Sequence, residues 1–186
     1  MTIGFKKAVF GTAVTVIAIG LVFPAAFWLI AVKLDKAFGW SPFVGKPGSQ
    51  ILSAASILAG AFWASWAYSY LFFVGRGLPL EAFGRALHPT RVLVTTGPYA
   101  YTRNPMAVGV LFLFLGVAFL TGSASGLILI GAAALVIWVY VTLFEEKALE
   151  KRFGAEYHDY RANVPILIPR ISAYSHPQTA GGQKSG

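Results

Sequence analysis

Residues 8–32, AVFGTAVTVIAIGLVFPAAFWLIAV, run for 25 positions without a charge. At about 1.5 Å of rise per residue, a helix of that length crosses a hydrocarbon core of about 30 Å with some tilt. A soluble fold would have to bury the whole run beneath a polar surface, and the chain lacks the residues to build one. Of its 186 residues 56% are hydrophobic and only 12% charged, against roughly 25% charged in soluble domains. The sequence therefore predicts an all-α integral membrane protein.

Three further apolar runs follow. Residues 51–74 form a second uncharged span, rich in Ala, Ser and Gly for close helix packing and carrying Trp63, Trp66, Tyr68 and Tyr70 for an interface. Residues 106–121 and 124–144 are separated only by Gly122 and Ser123, a connection short enough to force an antiparallel hairpin. The predicted fold is thus a bundle of about four transmembrane helices, the third barely long enough to span. Its predicted parts are N-terminal transmembrane helices over 1–74, a core over 75–170 and a disordered tail over 171–186. Lys6 and Lys7 precede the first run as in a signal peptide, but 25 residues exceed the ~7–15 of such a segment. That run is expected to be retained.

Charge sets the expected orientation. Twelve of the 15 basic residues fall before the first run, in the 75–105 loop or after residue 144. Only Lys33, Lys36 and Lys46 lie between the first two runs. By the positive-inside rule both termini and the middle loop are cytoplasmic, in a multi-pass protein of the cell membrane. The net charge of +8 follows from this topology and from attraction to anionic membrane lipids, and gives no reason to expect nucleic acid as a partner. Cysteine is absent and the three histidines are scattered. No metal site is therefore expected.

The polar stretch TTGPYAYTRNP, residues 95–105, opens the hairpin, and FEEKALEKRFG, residues 144–154, closes it. The hairpin brings them to the same membrane face. Asn104 can cap a helix whose first residue is Pro105, where the missing N–H costs nothing. Arg103 then comes within reach of Glu145 or Glu146, and together they make a polar focus in lipid surroundings. Each part has a plainer reading: turn residues at Gly97 and Pro98, a solvated interfacial pair at Glu145 and Glu146, an ordinary packed face at Tyr157 and Tyr160.

The two motifs taken together, LVTTGPYAYTRNPMAVG (93–109) and EEKALEKRFGAEYHDYRANVPILIPR (145–170), resemble the isoprenylcysteine carboxyl methyltransferase family, a relative of the membrane phospholipid methyltransferases. The resemblance covers roughly residues 70–170. It implies an integral membrane enzyme that binds S-adenosylmethionine at the cytoplasmic face and methylates a lipophilic acceptor reached from the bilayer. Carried over by position, Arg91, Val92, Leu93 and Val94 would line the cofactor pocket, and Tyr99 would contact the cofactor. Asn104, Pro105, Met106 and Ala107 occupy the place of an Arg-His-Pro signature. Glu145 matches a cofactor-contacting acid and Glu146 the second of the pair, while Tyr157, Tyr160 and Arg161 belong to the closing C-terminal motif. Gly97 and Arg103 suit the cofactor's carboxylate, and Arg103 with Glu146 are the candidates for orienting the acceptor.

The sequence departs from the family pattern at Ala107, where a tyrosine is usual, and at Val141, where the eukaryotic enzymes carry an arginine for the substrate carboxylate. Carboxylate, amine and thiol acceptors all stay open. Two other readings compete with a methyltransferase: a membrane reductase using a nicotinamide cofactor, and a non-enzymatic membrane partner protein.

Overall fold

The computed structural model describes residues 17–75, 81–82, 85–86, 90 and 92–175. The start of the first predicted span, Arg91 and the end of the predicted tail lie outside them. Six helices carry the described fold: α1 (Phe23–Phe38), α2 (Gly48–Phe73), α3 (Pro105–Thr121), α4 (Ala124–Tyr140), α5 (Glu146–Phe153) and α6 (Ala155–Asn163). A π-turn, Ala18–Val22, leads into α1, and a second, Val141–Glu145, joins α4 to α5 without a break. The expectation of helix alone needs one small amendment, a two-residue antiparallel ladder pairing Glu81–Ala82 with Arg85–Ala86.

Two helical stretches are long and apolar enough to cross a membrane: Gly48–Phe73, of 26 residues, and the continuous Ala124–Phe153, of 30. Pro105–Thr121 is a shorter apolar helix. The fourth apolar run does not end its helix at residue 144, because EEKALEKRF is made of good helix formers that need no lipid to continue it.

The α2–α3 pair is the tightest contact in the fold. Along α2, Ser49, Ser53, Ser56, Gly60 and Ala67 are buried, and on α3 Gly109 and Gly116 meet them. A Cβ on Gly60 would lie 2.7 Å from the Gly109 carbonyl oxygen, and one on Gly109 would lie 2.9 Å from the Ala64 nitrogen. Without a hydrophobic drive between helices in lipid, such close backbone approach is what association rests on. Phe27 of α1 stacks on Phe114 of α3 with centroids 4.8 Å apart.

The hairpin turns as the spacing predicts. Gly122 ends α3 in the left-handed region at φ 63°, and the Ser123 hydroxyl accepts from the Gly126 N–H at 2.9 Å to cap α4. Its tip is covered from α1, where the Asp35 carboxylate accepts from the Ser125 N–H at 2.9 Å. The Phe43 N–H donates to the Gly122 carbonyl at 3.0 Å. Along α4 only Ser125 and Gly126 are buried, whereas Ile128, Leu135, Val136 and Trp138 are exposed, an outer surface suited to lipid.

Gly109→Val should cost about 1–3 kcal/mol by forcing the two backbones apart, read as a lower thermal midpoint in detergent. Gly131, whose Cβ would meet nothing within 4 Å, is the control: Gly131→Ala should be neutral or stabilising.

Candidate functional site

The site begins with local chain chemistry at residues 96–105. Gly97 sits at φ +60°, where an L side chain is strained, and a Cβ there would strike the Tyr70 ring at 2.3 Å. Glycine thus lets the turn Gly97–Ala100 lie flat against the end of α2. The turn buries Tyr99 beside Ala67 and Val94, with Tyr70, Leu71 and Met106 packed around them. Four residues later the Asn104 side chain accepts from the Ala107 N–H at 3.2 Å, capping α3 with Pro105 as its first residue.

The Glu146 carboxylate, 2% exposed, is the centre of the charged half. One oxygen accepts from Arg103 Nη1 and the other lies 3.2 Å from Arg161 Nε, while Arg161 also pairs with Glu150. Arg103 Nη1 lies 3.5 Å from the Tyr157 hydroxyl. Of the two glutamates within Arg103's predicted reach, the structure selects Glu146. A full-length π-turn immediately precedes it, and the wider turn sets the phase that carries Glu146 toward α3.

Tyr157, Tyr160 and Val164 make a second buried cluster, against which Leu93, Leu149, Phe153 and Tyr174 pack. Burial, reinforced by the Glu146 charge, pushes the Tyr157 phenol up to about 12. Burial first and then the Glu145 charge push Tyr99 up as well, and burial does the same at Tyr160. A bond from the Tyr160 hydroxyl to the Tyr99 carbonyl, at 2.7 Å, joins the two clusters.

Beyond α6, Pro165 and Pro169 prevent further helix, and the chain returns as an extended strap across the turn. The Arg103 and Asn104 N–H groups donate to the Pro165 and Ile166 carbonyls at 2.8 and 3.1 Å. The Thr102 hydroxyl donates to Ile166 at 2.6 Å. The Arg170 and Tyr174 N–H groups donate to the Tyr101 and Ala100 carbonyls, each at 2.9 Å.

The fold therefore gathers Leu93, Val94, Gly97, Tyr99, Arg103, Asn104, Pro105, Met106, Ala107, Glu145, Glu146, Tyr157 and Tyr160 into one region. Val92 is 47% exposed and stands apart from both clusters; Arg91 lies outside the described residues. Sequence reasoning gave no role to Thr102; the strap begins inside the closing motif of the resemblance, but its main-chain pairing with the turn had no signal beyond the two prolines after a tyrosine-rich helix. A separate cavity near Asp35, Trp40 and Gly122 belongs to the hairpin tip, the other end of α3.

Fold and site together define a class: a small helical protein with membrane-length apolar helices and one buried ionic and aromatic centre where a hairpin's two ends meet. A profile of the phospholipid methyltransferase family matches residues 49–156. The chain belongs to that family. It is 38% identical over 76 residues to methanethiol S-methyltransferase 2 of Bradyrhizobium diazoefficiens, covering 40% of this chain and 28% of that one. It is 39% identical over 83 residues to the protein-S-isoprenylcysteine O-methyltransferase of Schizosaccharomyces pombe, covering 43% and 34%. To a cobalt-zinc-cadmium resistance protein of Cupriavidus metallidurans it is 30% identical over 135 residues, covering 67% and 62%. In each case the match spans less than two thirds of the relative's own length.

Removing the shared carboxylate leaves two guanidiniums facing each other, one of them nearly buried. Glu146→Gln should destabilise the protein by about 3 kcal/mol, measured by thermal unfolding in detergent. Alkaline pH gives a second check. A phenol whose folded value is raised contributes stability that is full below its ordinary value near 10 and lost as pH climbs through the folded one. Stability should therefore fall between pH 10 and about 12, and the fall should be shallower in Tyr157→Phe.

Proposed function

We propose that this chain is an S-adenosylmethionine-dependent membrane methyltransferase, with its site at the cytoplasmic face and a small or lipophilic acceptor reached from the bilayer. The observation that carries the reading is the ion pair of Arg103, before the start of α3, with Glu146, at the return end of the hairpin, inside a chain of the phospholipid methyltransferase family. Relatives named as methyltransferases of methanethiol and of isoprenylcysteine support methyl transfer as the chemistry. The charge asymmetry of the loops supports the cytoplasmic orientation.

The residues present fit such a cofactor. Arg103 Nε is buried and finds no acceptor among the described residues, and a buried donor left over in this way marks room for a ligand's acceptor. The positive end of α3 lies beside it, suited to a carboxylate. Glu145, at the end of the π-turn near Tyr99, would accept from ribose hydroxyls or balance a sulfonium charge. Tyr99, Tyr157 and Tyr160 would form the apolar wall, Gly97 would allow close approach of the turn, and the 164–174 strap would shut out water.

S-adenosylmethionine, when bound, supplies a methyl group on a positively charged sulfur. Its in-line transfer needs little acid or base help, so the chain's part is orientation and electrostatics. Arg103, fixed by Glu146, would orient; Glu146, with both oxygens engaged by guanidiniums, would act as the anchor of that arginine. No observation favours the reductase or scaffold readings.

Calorimetric titration of the detergent-purified protein with S-adenosylhomocysteine should give micromolar binding, weakened at least about tenfold, or 1.4 kcal/mol, by Tyr99→Ala and by Glu145→Ala. Absence of binding by the folded wild type would refute the reading. If both variants bind like wild type, the pocket lies elsewhere.

A further inference from the structure

We propose that Ile168 and Ile171 of the strap are seated in the lipid interface, so that the bilayer itself holds the strap against the turn before α3. This rests on the reading that α2 and α4 cross a membrane, and not on the reaction. Exposure is the first argument. Ile168 is 80% exposed and Ile171 fully so, the most exposed large apolar side chains among the described residues. A single exposed aliphatic is ordinary on any surface, but these two sit three positions apart on a pinned segment. The Asn104 N–H donates to the Ile166 carbonyl, the Arg170 N–H to Tyr101 and the Tyr174 N–H to Ala100. Pro169 restricts the backbone between them. The Arg170 guanidinium is drawn aside, donating from Nη1 to the Asn163 carbonyl at 2.7 Å. What the strap turns outward is therefore aliphatic.

Depth is the second argument. The 26 residues of α2 make a helix about 39 Å long, against about 30 Å of hydrocarbon, so its ends reach the headgroups. Trp66 stands two helical turns, about 10 Å, before the end of α2 at Phe73. Its ring packs on Tyr101 with centroids 6.0 Å apart, and Tyr70 lies against Gly97. Turn and strap thus run beside the last two turns of α2 rather than beyond its end. Trp66, Tyr70 and Tyr101 are the residue types that settle at the boundary between hydrocarbon and headgroup. Phe72 and Phe73 are exposed at the same end of α2, so the lipid-facing surface continues to the depth of the isoleucines.

A strap seated in lipid is also a clamp. It carries the carbonyls that accept from the Arg103 and Asn104 N–H groups. Withdrawing the isoleucines from lipid loosens the main chain that positions Arg103.

The test uses the full chain, which contains no cysteine, in nanodiscs of equal parts phosphatidylcholine and phosphatidylglycerol. Single nitroxide labels are placed at Ile168→Cys and at Ile171→Cys. Glu156→Cys, exposed on α6, is the water control, and Leu135→Cys, exposed on α4, is the lipid control. With one isoleucine labelled, the other still favours lipid over water at least about tenfold. Collisions with a water-soluble nickel chelate should therefore fall about tenfold from the Glu156→Cys rate, toward that of Leu135→Cys. Rates at the two strap positions equal to the water control overturn the proposal. So does spin–spin broadening at either of them, which would place a second copy there instead of lipid. Water exposure at Leu135→Cys as well overturns the membrane-spanning reading together with this one. Amide exchange gives the second readout: Ile168→Gln combined with Ile171→Gln should speed exchange at Arg103 and Asn104 at least about tenfold in the same nanodiscs. Unchanged exchange overturns the clamp.

Discussion

A carboxylate at 2% exposure, held between two guanidiniums, is the constraint on which the rest of the site depends. Burying one charge costs several kcal/mol unless partners surround it. Glu146 finds them only if three separate pieces of chain arrive together: the loop before α3 with Arg103, the π-turn that sets its own phase, and α6 with Arg161. Tyr157 and Tyr160 then close over the pair, and the bond from Tyr160 to the Tyr99 carbonyl ties the charged half to the aromatic half. Geometry and electrostatics here are one requirement.

That arrangement stands on closely packed helices. Gly60 and Gly109 let α2 and α3 touch backbone to backbone, and Gly122 with Ser123 fixes the hairpin so that its two open ends stay side by side. A looser pair of helices would leave Arg103 and Glu146 at a variable distance, and a buried ion pair tolerates very little of that.

Much of this was legible in the residues. Asn before Pro is a helix start by capping chemistry alone, and Gly122-Ser123 between two apolar runs is a hairpin by length alone. The partner of Arg103 was legible only as one of two glutamates, because choosing between them needs helix phase, and a π-turn shifts phase without any distinctive residue at Val141–Glu145. The continuation of the fourth helix to Phe153 is hidden because the apolar run stops at Phe144 while helix propensity does not. The strap was hidden for a different reason: it is held mostly by main-chain N–H and C=O groups, which every residue carries and no composition reveals. Leu93 and Val94 sort into opposite clusters while Val92 faces outward, an alternation that a resemblance by position alone cannot resolve.

The strap also fixes a moment in the protein's manufacture. Its anchors, Pro165 to Tyr174, leave the ribosome some seventy residues after the turn they cover. Domains form as their parts emerge, so the two long apolar helices have already been made while the polar corner is still open. Throughout that interval the Arg103 and Asn104 N–H groups and the Thr102 hydroxyl are without the carbonyls that accept from them. A nascent chain halted between α6 and the strap would carry every charged residue of the centre and still lack the main-chain partners of its turn.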